Sequence, residues 1–173
     1  MPTLHTISLW QPWASLITRG HKSIETRSWS VPPTLIGKRV AIHASSKAPP
    51  VAELDHMTQK AIHNALDVLP HQWKDVLPRG AIIGTVRIAG CYTSLDWKMG
   101  TKGIDLDASR TVPGSIPLDG ILLSEHEIYF GNYLPGRKLW LLEDAEEFLE
   151  PVPARGALGF WLWRTLCVPQ SRT

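Results

Sequence analysis

Residues 10–29 read WQPWASLITRGHKSIETRSW, a short helix signature that runs without pause into an extended, charged segment. Pro12 suits the first position of a helix, where its missing N–H costs nothing. Trp13, Leu16 and Ile17 then fall three and four residues apart on one face, and Gly20 stops the run. Beyond it, Lys22, Glu25, Arg27 and Trp29 crowd into eight residues. Strand alternation places Lys22, Ile24 and Thr26 on one side and Ser23, Glu25, Arg27 and Trp29 on the other. A charged face ending in an aromatic ring reads in two ways. It is either an edge strand whose Glu25 and Arg27 pair in solvent, or a binding or catalytic surface.

Outward from this stretch, GKRVAIHAS (37–45) is a turn glycine and a strand that delivers His43, Ser45 and Lys47 to its end. In VAELDHMTQKAIHNALDVL (51–69), Leu54, Met57, Ala61, Ala65, Leu66 and Leu69 trace an apolar stripe of helical period, and Pro70 ends it. Helices are therefore expected at 12–19 and about 51–68. RGAIIGTVRIAGCY (79–92) is the clearest strand, with Gly84 marking a bulge or a close backbone approach. Residues 93–120 hold four glycines and two prolines and read as a long connection, able to serve as a lid over a pocket. Ser124 and Glu127 have capping-box spacing. GRKLWLL (136–142) is a further strand, and the hydrophobic segment within 151–168 closes the chain, with Trp161 and Trp163 on one face reading as core. Several short strands among two helices, with glycines where a sheet would curl, fit an α+β fold: a small, mainly antiparallel β-barrel with flanking helices. The expected organisation is one domain, 1–173, with the long connection at about 90–120.

With 173 residues and 43% hydrophobic content the chain has material for a core without disulfide support. Cys91 and Cys167 lack any regular spacing, and pairing between them stays open. The N-terminal residues lack signal-peptide character and no apolar run approaches a membrane span, so the expectation is a soluble, cytoplasmic protein with no membrane partner; its oligomeric state is not legible. The net charge of +2 is small, but its distribution is uneven. Residues 1–50 carry six basic side chains against Glu25 alone, whereas 143–150 holds five acids and no base. Such polarity either presents a basic face to an anionic partner, with the acids turned away, or is solvated surface. The acidic block also leaves room for a protein-interaction module.

Signatures for nucleotide phosphates, zinc proteases and serine esterases are absent, and the histidines are dispersed, so neither a metal nor a cofactor is expected. Lys22 and Glu25 are the pair best suited to proton transfer, provided a turn or bulge brings them to one side of the strand. Read otherwise, Lys22 is a solvated cation and Glu25 the structural partner of Arg27. Arg27 has the rigid fork that grips phosphate or carboxylate. His43 is either part of the same site, carried there with Ser45 and Lys47 by a neighbouring strand, or a satisfied core histidine. Arg137 and Trp140 lie on opposite faces of their strand, so at most one of them shares the cleft. Eight tryptophans are abundant for this length, and Trp10, Trp13 and Trp29, bordering the basic segment, are the best platforms for stacked bases. Trp13 is the weakest of them because it lies on the apolar helix face.

These residues resemble the ASCH domain, the activating signal cointegrator homology family. Its G-x-K-x-x-E-x-R core corresponds to Gly20, Lys22, Glu25 and Arg27, and RGAIIGTVRI, FGNYLPGRKLWLLED and PVPARGALGFW follow in the family's order. The resemblance implies a PUA-like barrel whose Lys22, Glu25 and Arg27 line a cleft. It also implies an association with RNA and modified nucleobases. Some small members remove the acyl group from an acylated cytidine with a lysine, a threonine and a glutamate; here Lys22 matches the lysine and Glu25 stands in the threonine's place. Other members are linked to ribonuclease activity or transcriptional coregulation. The expectation is thus a module for RNA or single-stranded nucleic acid. Its site would comprise Trp10, Lys22, Arg27, Trp29, His43, Ser45, Lys47 and Arg137. The alternative is a hydrolase of a modified nucleoside, or a ribonuclease, with Lys22 and Glu25 catalytic.

Overall fold

A computed structural model describes residues 3–48, 50–98, 103–106, 121–124, 126–165 and 167–172. The elements, in order, are β1 (Thr3–Leu9), α1 (Trp13–Thr18), β2 (Ile24–Arg27), β3 (Arg39–Ala44), α2 (His56–Leu66), α3 (Trp73–Val76), β4 (Ala81–Lys98), β5 (Gly103–Leu106), β6 (Ile121–Leu122), β7 (Lys138–Pro153) and β8 (Phe160–Arg164). They form two compact units. Met1–His21, Arg39–Val86 and Asp144–Thr173 make the first, and Lys22–Lys38 with Arg87–Glu143 make the second. The long strands β4 and β7 each contribute residues to both.

Strand order is β2-β7-β4-β3-β1-β8, with β5 paired to β4 and β6 to β5. The sheet is mixed: β1 and β3 run parallel, with Thr6 opposite Ala41, while β1–β8 and β2–β7 are antiparallel. This corrects the expected barrel. Among the described residues the path ends at β2 and at β8 without pairing them, so the sheet is open. The reason lies partly in β2. It is only four residues long, and side chains bond the segment where another strand would pair: Glu127 accepts the Ile24 N–H, and the Thr26 hydroxyl accepts the Asn132 N–H. Barrel closure needs every strand paired on both sides.

In the first unit, α1 begins one residue after Pro12, and Gly20 at φ +76° ends it. Ala14, Leu16 and Ile17 are buried and Trp13 is half-buried. Gln11 is buried at the entry to α1, accepting the Ser15 N–H at 3.1 Å and donating to the Pro78 carbonyl at 2.8 Å. Helix α2 is capped by Asp55, whose carboxylate accepts from the Thr58 N–H and hydroxyl. Its end is set by Asp67 in the left-handed region, three residues before the Pro70 that the sequence nominated. The buried stripe is Thr58, Ala61, Ile62 and Leu66, while Met57 is exposed, so the buried face is rotated from the predicted one. Ala41, Ile82, Phe148 and Trp163 form a core cluster against which Trp161 packs, as its alternation predicts. Gly84 permits a close approach of β4 to β7: a Cβ there would collide with the Glu146 carbonyl and lie 2.8 Å from Thr18 Cγ2.

The second unit is built on Ile24, Tyr92, Leu123, Tyr133 and Leu139. Strand β4 continues to Lys98 and β5 covers 103–106, so ordered strand occupies part of the segment read as a connection. Residues 99–102 and 107–120, on which the lid reading rests, lie outside the described residues.

The two cysteines are not joined in a disulfide; Cys91 is buried and Cys167 exposed. No helix among the described residues is long and apolar enough to cross a membrane. The acidic block is interleaved with arginines instead of standing apart from them. Within the first unit Arg19 pairs with Glu147 at 2.9 Å and Arg39 with Glu146 at 3.3 Å; within the second, Arg87 pairs with Glu143.

Candidate functional site

The antiparallel register of β2 and β7 sorts the second unit's side chains. Ile24 lies opposite Leu141 and Thr26 opposite Leu139, and Ile24, Leu139 and Leu141 belong to the hydrophobic cluster. On the other face, Glu25 lies opposite Trp140 and Arg27 opposite Lys138. Lys22 joins this second face because regular strand begins only at Ile24. The ammonium is therefore not bound by alternation: it donates to the Ile24 carbonyl and lies 3.6 Å from Glu25 Oε2. The turn that cooperation between Lys22 and Glu25 requires is thus present.

Glu25 takes a second cation on its other oxygen, with Arg27 Nε 2.8 Å from Oε1, an ion-pair contact without hydrogen-bond alignment. The three side chains grade in exposure from 1% for Lys22 through 11% for Glu25 to 28% for Arg27. Trp140 is buried below them; its indole N–H donates to the Trp29 carbonyl at 3.2 Å, and the two rings meet edge to face at 4.8 Å. The Arg27 guanidinium lies 5.9 Å from the Trp140 ring centroid, at the outer reach of a cation–π contact. Lys138, half-buried, donates to the Thr93 hydroxyl at 2.7 Å.

Glu127 holds the entry to β2. Its carboxylate accepts the Ser23 N–H at 2.8 Å, the Ser23 hydroxyl at 3.1 Å and the Ile24 N–H at 3.2 Å. Tyr133 donates its hydroxyl to the Glu127 carbonyl at 3.1 Å, and burial raises the phenol's pKa, with the nearby Glu127 charge acting in the same direction. Only half of the predicted capping box forms: the Ser124 hydroxyl accepts the Glu127 N–H at 3.1 Å, while the glutamate side chain goes to Ser23 and Ile24.

Of the residues nominated by sequence, Lys22, Glu25, Arg27 and Trp29 come together in the second unit. Arg137 belongs to that unit as well, just before β7; it donates to the Thr26 carbonyl at 3.4 Å, and its buried Nε has no partner among the described residues. Trp10, His43, Ser45 and Lys47 lie in the first unit. Strand β3 pairs with β1 and β4 and not with β2, so adjacency in the sheet does not deliver His43 to the Lys22 segment. His43 is buried and bonded through both nitrogens, to Ser8 Oγ at 3.1 Å and the Ala154 carbonyl at 3.0 Å. Trp161 donates to the same Ser8 oxygen at 3.1 Å. The Lys47 ammonium stands 5.3 Å from the centre of the half-exposed Trp10 ring. Two residues of the site, Lys138 on the β2–β7 face and Glu127 at the entry to β2, escaped the sequence reading as site residues. Lys138 was legible through its alternation with Trp140, and Glu127 only through the Ser124 spacing. Among the described residues no three metal-ligating side chains converge.

A family model described as the ASCH domain matches residues 7–152. The chain belongs to the ASCH-domain family. With membership comes the family's general association with nucleic-acid binding. Among curated proteins, this ASCH chain is 32% identical over 92 residues to activating signal cointegrator 1 of Homo sapiens, a match covering 53% of the chain and 15% of that protein. It is 33% identical over 87 residues to the Mus musculus protein of the same name, covering 50% and 14%. The match thus spans about one-seventh of the relatives' own length. Crystal structures of two mutants of ZmASCH from Zymomonas mobilis are 20% identical and cover 86% of the chain. The match covers 73% and 72% of those chains, with TM-scores of 0.40 and 0.39.

Proposed function

We propose that this ASCH domain binds single-stranded nucleic acid, RNA foremost, on the β2–β7 face of the second unit. The observation that carries the reading is a charge imbalance on an aromatic floor. Lys22, Arg27 and Lys138 share the face with one carboxylate, Glu25, over buried Trp140 and half-buried Trp29. Of these, Arg27 and Lys138 are the cations to hold phosphates, with Lys22 held behind Glu25, and Trp29 is the indole to meet a base, with Trp140 beneath it. A cation beside a half-buried tryptophan is what an unpaired strand requires, since its bases are free to stack. The family's association with nucleic acid supports the same reading.

A second reading, a hydrolase of an acylated nucleoside, is favoured by the Lys22–Glu25 contact at 3.6 Å, close enough for the pair to divide proton transfers between them. The test runs both assays on one preparation. Short single-stranded RNA, DNA and duplex are titrated across salt, while N-acylated nucleosides and the RNA itself are followed for products. Saturable, steeply salt-dependent RNA binding with no turnover is the expected result. Product from an acylated nucleoside without RNA binding reverses the order of the readings.

A further inference from the structure

Arg27 and Lys138 are directly opposed across the antiparallel β2–β7 pairing. Opposed side chains in such a pair sit about 5 Å apart at Cβ, and like charges there are destabilising. Neither cation is turned fully into solvent: Arg27 is 28% exposed and Lys138 is half-buried. Their counter-charge is short. Glu25 is shared between Arg27 and Lys22, and Lys138 has no carboxylate partner among the described residues, its ammonium resting on the neutral Thr93 hydroxyl. That contact uses one of the three ammonium protons.

We propose that Arg27 and Lys138, with Lys22 held behind Glu25, form a subsite for a phosphate group. The fork of Arg27 grips two phosphate oxygens and Lys138 supplies a point charge to a third. The surplus of two positive charges over Glu25 matches a terminal phosphate monoester, and an internal phosphodiester satisfies half of it. The subsite rests on the nucleic-acid reading for the origin of its phosphate, while its geometry is independent of that reading. In it Lys22 is a positioning residue: sequestered at 1% exposure, it fixes Glu25, which in turn aims Arg27.

The test compares wild type with Lys138→Gln, Arg27→Gln and, as a control for bulk charge, Lys74→Gln on the exposed surface of α3. Each is titrated with one short single-stranded RNA, with and without a 5′-phosphate, and heated with inorganic phosphate. Lys138→Gln is expected to weaken RNA binding five- to tenfold and to flatten the slope of log K against log salt by about 0.7, the value for one lost contact to a single strand. Its melting temperature without ligand should equal or exceed that of wild type, because the opposed charge is gone; a purely structural lysine would lower it. Dependence on Lys138 that grows with the 5′-phosphate assigns a terminal group, and equal dependence for both RNAs assigns an internal one. If RNA binds wild type but Lys138→Gln behaves as Lys74→Gln, the subsite is overturned and the nucleic-acid reading stands. If no RNA binds yet phosphate raises the melting temperature only when Lys138 is present, the subsite stands and that reading falls. No response to either ligand overturns both.

Discussion

Glu127 reaches back across 104 residues of chain to hold Ser23 by two bonds, accepting both its N–H and its hydroxyl on one carboxylate oxygen. The other oxygen takes the Ile24 N–H. This clamp sits between Lys22 and the first residue of β2, so it sets where the strand starts and hence where the lysine lies relative to Glu25.

Removing the clamp should therefore cost both stability and geometry. Glu127→Ala strands the buried Ile24 N–H and is expected to lower unfolding free energy by about 2–4 kcal/mol, since bonds to charged acceptors carry about 1.5–3 kcal/mol each. Glu127→Gln keeps one acceptor and should lose about half as much. Urea denaturation measures both, and equal stability of Glu127→Ala and wild type would refute the clamp.

Gly84 makes a sharper structural prediction. A methyl group there meets the Glu146 carbonyl and the Thr18 side chain, with backbone on one side that has no rotamer to change. Gly84→Ala is expected to cost about 3 kcal/mol or more, at the upper end for overpacking. A melting temperature unchanged from wild type would show that β4 and β7 do not approach this closely.

How much of this was readable beforehand depends on the range of the interaction. Helix α1 was legible because Leu16, Ile17 and Gly20 are local signals within a few residues of one another. The buried face of α2 was misplaced onto Met57 because periodicity alone does not say which side of a stripe meets the core; Ile62 took that place. Lys22, Glu25 and Arg27 were legible as a cluster, but the Lys22–Glu25 contact depends on β2 starting at Ile24, which Glu127 determines from far along the chain. Lys138 enters the site only through the β2–β7 register, and no local pattern carries a register between distant strands. Barrel closure was misjudged for a related reason: it is decided at the strand edges, where Glu127 and the Thr26–Asn132 contact stand beside β2 in place of another strand.

His43 should give the fold a measurable pH dependence. Its Nε2–H donates to the Ala154 carbonyl, so Nδ1 accepts from the Ser8 hydroxyl, whose oxygen in turn accepts from Trp161. That network holds the neutral ring. Burial lowers the pKa below the usual 6.5, with the Ala154 bond opposing in part. The unfolded chain then takes up a proton that the folded chain resists. His43's contribution is therefore complete above about pH 6.5 and is lost as pH falls through that value toward the folded one. Gln at this position cannot titrate, so the stability gap between wild type and His43→Gln should narrow between pH 7.5 and about pH 5. A constant gap would contradict the neutral, buried ring.

Trp29 meets Trp140 edge-on, and the residue is only half-buried at the border of the basic face. Trp29→Ala is expected to weaken binding of single-stranded RNA by about 1–3 kcal/mol, with little change in salt slope, because stacking releases no counterions. An affinity within error of wild type returns Trp29 to the role of cover for Trp140.

The two cations flanking Glu25 should part company when each is removed. Lys22 is sequestered and bonded to the Ile24 carbonyl, whereas Arg27 keeps 28% of its side chain in solvent. Breaking a buried pair from one side costs about 3–5 kcal/mol, and Arg27 still accompanies Glu25 when Lys22 is gone, so Lys22→Met should destabilise by about 3 kcal/mol. Measured where the protein remains folded, its RNA affinity should change less than about threefold, while Arg27→Gln loses at least about fivefold and part of the salt slope. An enzyme predicts the opposite order: Lys22→Met would abolish turnover of an acylated nucleoside with binding nearly intact, because a proton-transfer group acts in the transition state. Equal losses of RNA affinity and salt slope in the two variants would place Lys22 in direct contact with the strand and refute its role as a positioning residue.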